Sequence, residues 1–196
     1  MILNNTLKLL LVALACSCSS EDGGFVPKPK GFNEINLPEH KYQLLDEEEL
    51  PYSFEYSTQA VIEKDTVFEE KKKFYKILKY DDLGCNIHIT YKSIKQSIDT
   101  LNSLVREGFR LRDGHDKKAY SFAEKYAQNG KGYNVAIFEI EGNVPSQYQF
   151  MVHDSVNHFL RGVLYFPIAT KNDSLRPVIE FAKEDMRHLI NTIRWK

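Results

Sequence analysis

Residues 133–166 read YNVAIFEIEGNVPSQYQFMVHDSVNHFLRGVLYF. Val, Ile, Phe and Tyr crowd into three short runs, and turn-forming residues separate them. Tyr133 to Glu141 is the first run, and Gly142-Asn143-Val144-Pro145 turns the chain. Gln147 to Asp154 is the second, Asn157 to Phe166 the third, and Asp154-Ser155 fits the turn between them. β-Branched and aromatic runs bounded by Gly, Pro, Asn and Asp predict three consecutive antiparallel strands.

Upstream, Cys85-Asn86-Ile87-His88-Ile89-Thr90-Tyr91 alternates, with Ile87, Ile89 and Tyr91 on one face. That period of two marks a half-buried strand. Phe74 to Tyr80 is a strand candidate, and Asp81-Asp82-Leu83-Gly84 can close a hairpin between the two. Pro51 to Ser57 alternates as well, aligning Tyr52, Phe54 and Tyr56. Glu63 to Lys73, including Lys71-Lys72-Lys73, is a charged connection that reads as solvated rather than as a nucleic-acid patch. Ile94, Ile98, Leu101, Leu104 and Val105 recur at helical spacing, predicting a helix over 94–107 capped by Ser93. Ala119, Phe122, Ala123 and Tyr126 predict a shorter helix stopped by Asn129-Gly130-Lys131-Gly132. A final helix carries Val178, Ala182, Met186, Leu189 and Ile193 as its apolar stripe, with Asn172-Asp173-Ser174 as its cap and Pro177 in its first turn. His188 lies opposite the stripe, an i,i+4 partner of Glu184. Grouped strands and grouped helices predict an α+β fold. The expected architecture is a mostly antiparallel sheet of five to six strands with two to three packed helices. The order resembles the helix–sheet–helix sandwich of PsbP-type proteins.

The beginning, MILNNTLKLLLVALACSCSS, is a weakly cationic start, a short apolar core, then small residues and cysteines. It reads as a secretory signal. The apolar run is far shorter than the roughly 20 residues a membrane-spanning helix needs. A small residue before a cysteine is the pattern of a bacterial lipoprotein signal. Cys18 is the expected lipidation site, because it allows the longer apolar run, and Cys16 is the alternative. The domain division is therefore a signal peptide over 1–18, an extended tether or arm over 19–50, and one domain over 51–196. Serine after Cys18 favours the outer membrane over the inner. Several acyl chains on one cysteine make a stable anchor. With Cys16 removed and Cys18 acylated, Cys85 is left without a disulfide partner and reads as a buried small hydrophobe. Eleven Tyr, twelve Phe and one Trp can build a core, and a net charge of -1 points to no nucleic acid.

Catalytic motifs are scarce. There is no Gly-rich phosphate loop and no nucleophile elbow. His153-Asp154-Ser155 with His158 is the one dense polar cluster, and it supports the alternative of a ligand-binding or hydrolytic site on His153, Asp154 and His158. Triad members normally come from separate elements, so a capped turn is the simpler reading. No cofactor or metal is expected. Pro27-Lys28-Pro29-Lys30-Gly31-Phe32 is pre-extended by its prolines and carries two cations. Such a strip loses little entropy on docking. The expected partner-binding residues are Pro27, Lys28, Pro29, Lys30, Phe32, Tyr52, Tyr56 and Trp195, within an arm taken as 27–56 together with the C-terminus.

Several stretches, in order, resemble the gliding motility lipoprotein GldD family of Bacteroidetes. They are the Pro27–Phe32 segment, Leu37-Pro38-Glu39-His40-Lys41-Tyr42, Leu50 to Tyr56, Ile89-Thr90-Tyr91, and His153 to Gly162. The final helix from Asp173 to Lys196 continues the likeness. The resemblance implies an envelope lipoprotein needed for gliding and type IX secretion. It implies partners among other envelope proteins of that machinery, and it transfers no catalytic residue.

Overall fold

The computed structural model describes residues 35–63, 74–114, 119–167 and 172–196. The chain divides into Met1–Phe32, outside the described residues, and a second unit, Asn33–Lys196. Among the described residues of the second unit, ten strands and two α-helices follow the order β1 (Tyr42–Leu45), β2 (Tyr52–Ser57), β3 (Val61–Glu63), β4 (Lys76–Tyr80), β5 (Cys85–Ser93), α1 (Ile98–Asp113), β6 (Ala119–Gln128), β7 (Asn134–Gly142), β8 (Tyr148–His153), β9 (His158–Tyr165), α2 (Asn172–Thr192) and β10 (Arg194–Trp195). A 3₁₀ turn, Asp81–Leu83, joins β4 to β5, and Gly84 supplies the left-handed residue, φ 64°, that ends it.

Seven strands form one antiparallel sheet in the order β3-β4-β5-β9-β8-β7-β6. The predicted meander is β7-β8-β9, and β9 then pairs with β5 over eight residues from Asn86↔Tyr165 to Ser93↔His158. A second sheet, β1-β2-β10, joins residues near the chain's entry into the fold to its C-terminal residues. The class is α+β, mostly antiparallel.

Period two sends alternate side chains to opposite faces of the large sheet. Cys85, Ile87, Ile89 and Tyr91 of β5, Leu160 and Leu164 of β9, and Tyr148, Phe150 and Val152 of β8 belong to the main core. Val178, Ala182, Met186 and Leu189 of α2 join it, with Tyr52 and Phe54 of the small sheet. Phe150 lies opposite Gly162, where a Cβ would run into its ring. The other face is covered by α1. Leu101, with Leu104, Val105 and Phe109 behind it, packs on Phe138, Met151 and Phe159, and a Cβ on Gly108 would meet the Met151 side chain.

Three expectations need correction. Residues 119–128 are not a helix but strand β6, paired with β7 from Ala119↔Gly142 to Gln128↔Asn134. Ala119, Phe122, Ala123 and Tyr126 fit helical spacing only because small and aromatic residues also alternate at period two. Asn129, read as a helix stop, closes the β6–β7 hairpin, its Oδ1 accepting from the N–H groups of Lys131 and Tyr133. The first helix begins at Ile98, not Ile94. Ile94 N–H donates to Asn157 O at 2.8 Å, Lys95 and Gln96 take positive φ, and Ser97 caps the helix through Thr100 N–H at 3.2 Å. The final helix begins at Asn172, so Pro177 falls in its second turn rather than its first. Strand β3 ends at Glu63, the first residue of the 63–73 connection, and 64–73 lies outside the described residues.

Candidate functional site

The polar cluster around 153–158 is a structural turn. Asp154 Oδ1 accepts the backbone N–H groups of Val156, Asn157 and His158, each at 2.9 Å. Burial would raise its pKa, but those three donors outweigh burial and hold the carboxyl below its ordinary value. Ser155, at φ 65°, accepts from Asn134 Nδ2 at 3.1 Å and lies 3.2 Å from His153 Nδ1. His153 pairs opposite Phe159, which packs under α1. His158, one residue earlier on β9, points to the opposite face and meets Tyr91 and Trp195. The two imidazoles thus stand on opposite sides of the sheet. His153, Asp154 and His158 do not converge, and the hydrolytic alternative finds no geometry here. Among the described residues no group of three His, Cys, Asp or Glu side chains is placed to hold a metal.

The predicted partner-binding residues scatter. Pro27, Lys28, Pro29, Lys30 and Phe32, like Cys16 and Cys18, lie outside the described residues. Tyr52 is fully buried, its hydroxyl donating to Phe74 O at 2.7 Å, so its ring is core and not surface. Tyr56 is half-buried, edge-on to Phe54. Trp195 pairs opposite Tyr52 in the small sheet and stacks on His158, with ring centroids 5.1 Å apart and planes 7° from parallel. Tyr133 and Tyr91 flank it at 5.3 and 6.4 Å. Tyr91 Oη and His158 Nδ1 share a 2.8 Å hydrogen bond. Burial keeps the His158 pKa below the usual value, against the opposing pull of Asp154. The Trp195 indole N–H is buried with no hydrogen-bond acceptor among the described residues. The result is a half-buried aromatic cluster where β2, β5, β9 and β10 meet.

A second cluster was not legible in the sequence. His40 Nδ1 lies 2.6 Å from Asp185 Oδ1 across 145 residues of chain, and Tyr80 donates to Asp185 Oδ2 at 3.0 Å. Asp185 is 2 % exposed. A carboxylate accepts only, which assigns the proton to His40 Nδ1. His40 stacks on Phe181, and Tyr42 stacks on His188 at a centroid distance of 3.6 Å. His188 Nε2 then meets Glu55 Oε2 at 2.7 Å, while Arg187 takes Glu184. His188 is therefore bound to β2 rather than to its i,i+4 neighbour. Burial first, and the Asp185 charge second, push the Tyr42 hydroxyl up to about 12 and the Cys85 thiol up to about 12. Cys85 is buried at the start of β5, an unreactive thiol in this setting. These contacts bind His40, Tyr42 and Glu55 to α2. Residues 42–56, expected within the docking arm, are thereby committed to the fold: Leu45, Leu50, Tyr52 and Phe54 all belong to the core.

A sequence profile described as gliding motility lipoprotein GldD matches residues 22–195. The chain belongs to the GldD family. It is accordingly an envelope lipoprotein associated with gliding motility and its machinery, from a family of motility lipoproteins rather than of enzymes. No curated protein matches the sequence significantly. Among solved structures, the solution structure of cyanobacterial PsbP (CyanoP) from Synechocystis sp. PCC 6803 is similar at a TM-score of 0.44. Its sequence identity is 8%, over 83% of this chain and 96% of that one. No helix among the described residues is long and apolar enough to cross a membrane.

Proposed function

We propose that this GldD-family protein is a non-enzymatic assembly factor. It is held to the envelope by acyl chains on Cys18, with Cys16 as the alternative, facing the periplasm from the outer membrane rather than the inner. Its partners are other envelope proteins of gliding and type IX secretion. The reading rests on one observation above the others: the chain's entry into the fold is fastened. Ile35 and Leu37 pack against the main core, and His40 is held by Asp185 on the last helix. The proline-rich Pro27-Lys28-Pro29-Lys30-Gly31-Phe32 stretch precedes that fastened entry in sequence. A proline-rich sequence of that kind loses little freedom on binding. Trp195 and Tyr56, half-buried on the same small sheet as β2, are the aromatic candidates on the folded unit.

The test is deletion. Removing 27–56 would take out β1 and β2 with their core residues, so the informative variant deletes 27–32 only. Cross-linking in living cells followed by mass spectrometry should show envelope partners on the parent protein and their loss from the deletion variant, at unchanged protein level. Partners retained by the variant would remove the strip from the account.

A further inference from the structure

Arg161 lies on β9, two residues from Phe159, and so faces the side of the large sheet on which α1 packs. Thr90 of β5 stands opposite it on one side and Met151 of β8 on the other. The side chain is half-buried. Its Nη2 donates to Gln149 Oε1 at 2.6 Å. Among the described residues no acceptor is found for the remaining N–H groups of the guanidinium, and no carboxylate comes within ion-pair distance. An arginine taken out of water ordinarily has a counter-charge beside it. The charge of Glu107, exposed on α1, acts on Arg161 without touching it, and burial still pulls the guanidinium pKa below its ordinary value.

Gln149 is a second, independent observation. It is 2% exposed. A guanidinium only donates, so the contact with Arg161 fixes which end of the amide is Oε1 and leaves Nε2 as the other. Nε2 is buried with no acceptor among the described residues. Two touching side chains on neighbouring strands thus hold a surplus of donors, and one of them holds a positive charge as well. Across from Arg161, Thr90 brings a hydroxyl. Lys92, next along the same face of β5, brings a second cation, its Nζ 5.5 Å from the Tyr75 ring centroid. Water would satisfy the donors and leave the charge. An anion satisfies both.

We propose that Arg161, with the Thr90 hydroxyl opposite, binds an oxyanion: the carboxylate or phosphate group of a ligand. The planar fork of a guanidinium matches two oxygens of either group. Gln149 is a positioning residue, holding the guanidinium through Oε1. Helix α1 packs on β8 and β9, so the ligand reaches Arg161 from the β5 side, over Thr90.

The experiment titrates the full-length protein, in a neutral detergent, with phosphate and separately with acetate. Chloride at equal ionic strength is the reference, and thermal unfolding is followed. Saturation should raise Tm by about 4 °C or more. A rise with either anion supports the site and shows which group it takes. No rise with both overturns the proposal. Arg161→Gln should lose the rise, and a variant that keeps it places the anion elsewhere and overturns the proposal too. Glu107→Gln decides the matter if Arg161→Gln does not fold. Removing that exposed negative charge should tighten the anion about two- to fivefold, the scale of one exposed charge pair. An affinity left unchanged or weakened by Glu107→Gln overturns the proposal, because Glu107 then does not compete with the anion for Arg161.

Discussion

The two faces of the seven-stranded sheet come from the same strands and are covered very differently. One face lies under α2 and the β1-β2-β10 sheet, with most of the buried side chains in one cluster. The other has, among the described residues, α1, a small cluster around Phe138, Met151 and Phe159, and an edge strand whose aromatics reach solvent. The closed face fastens the chain's entry to its C-terminus. The open face ends in β6. One face therefore carries most of the buried side chains, while the other leaves an exposed strand at its edge.

Matched truncations would test that division most severely. Phe150→Ala, on the closed face, should cost near the top of the about 3–5 kcal/mol range for buried Phe. Phe138→Ala, beneath α1, should cost near the bottom, because the surrounding Phe109 and Arg112 side chains can settle into the space. Denaturant midpoints measure both, and equal losses would erase the distinction between the faces. A smaller effect comes from the fastening itself. Asp185→Ala strips His40 and Tyr80 of a common carboxylate partner, which should cost about 2–3 kcal/mol, the scale of hydrogen bonds to charged groups. Chemical denaturation should show this loss, and proteolysis should then cut first near residue 40. A variant as stable as its parent would reduce the His40–Asp185 contact to an incidental one.

The smallest effect is optical. Trp195 is the single tryptophan and stacks on His158. The folded pKa of His158 lies below its ordinary value, so the unfolded chain binds the proton more tightly. Its contribution to stability is thus present above the unfolded value, about pH 6.5, and is lost as pH falls through the lower folded value. An imidazolium quenches a stacked indole, so Trp195 fluorescence should drop on acidification with a midpoint below that of a free histidine. His158→Gln should abolish the drop. His153→Gln, on the open face, should leave it in place although His153 is also held low by burial. A fluorescence change that follows His153 would mean the two faces are not separate at this end.

Legibility followed the range of the interactions. The β7-β8-β9 meander, the β4–β5 hairpin and the stripe of α2 were readable because each is set by turn residues and periodicity within a few residues. Strand β6 was misread because Ala119, Phe122, Ala123 and Tyr126 satisfy two periods, and only pairing with β7 selects one. Strands β1, β3 and β10 are too short to announce themselves. His40, Asp185 and Tyr80 were invisible as a cluster, since nothing local links residues so far apart in the chain.

By itself, the sequence determined the α+β class, the β4–β5 hairpin, the β7-β8-β9 meander, the C-terminal helix and the family, because patterning and turn chemistry act locally. Only the tertiary structure decided which side of the sheet each histidine occupies, that Tyr52 is core, and that β6 is an open edge. Those outcomes depend on which strand lies beside which, and strand neighbourhood is settled by burial summed over the whole sheet rather than by any one segment.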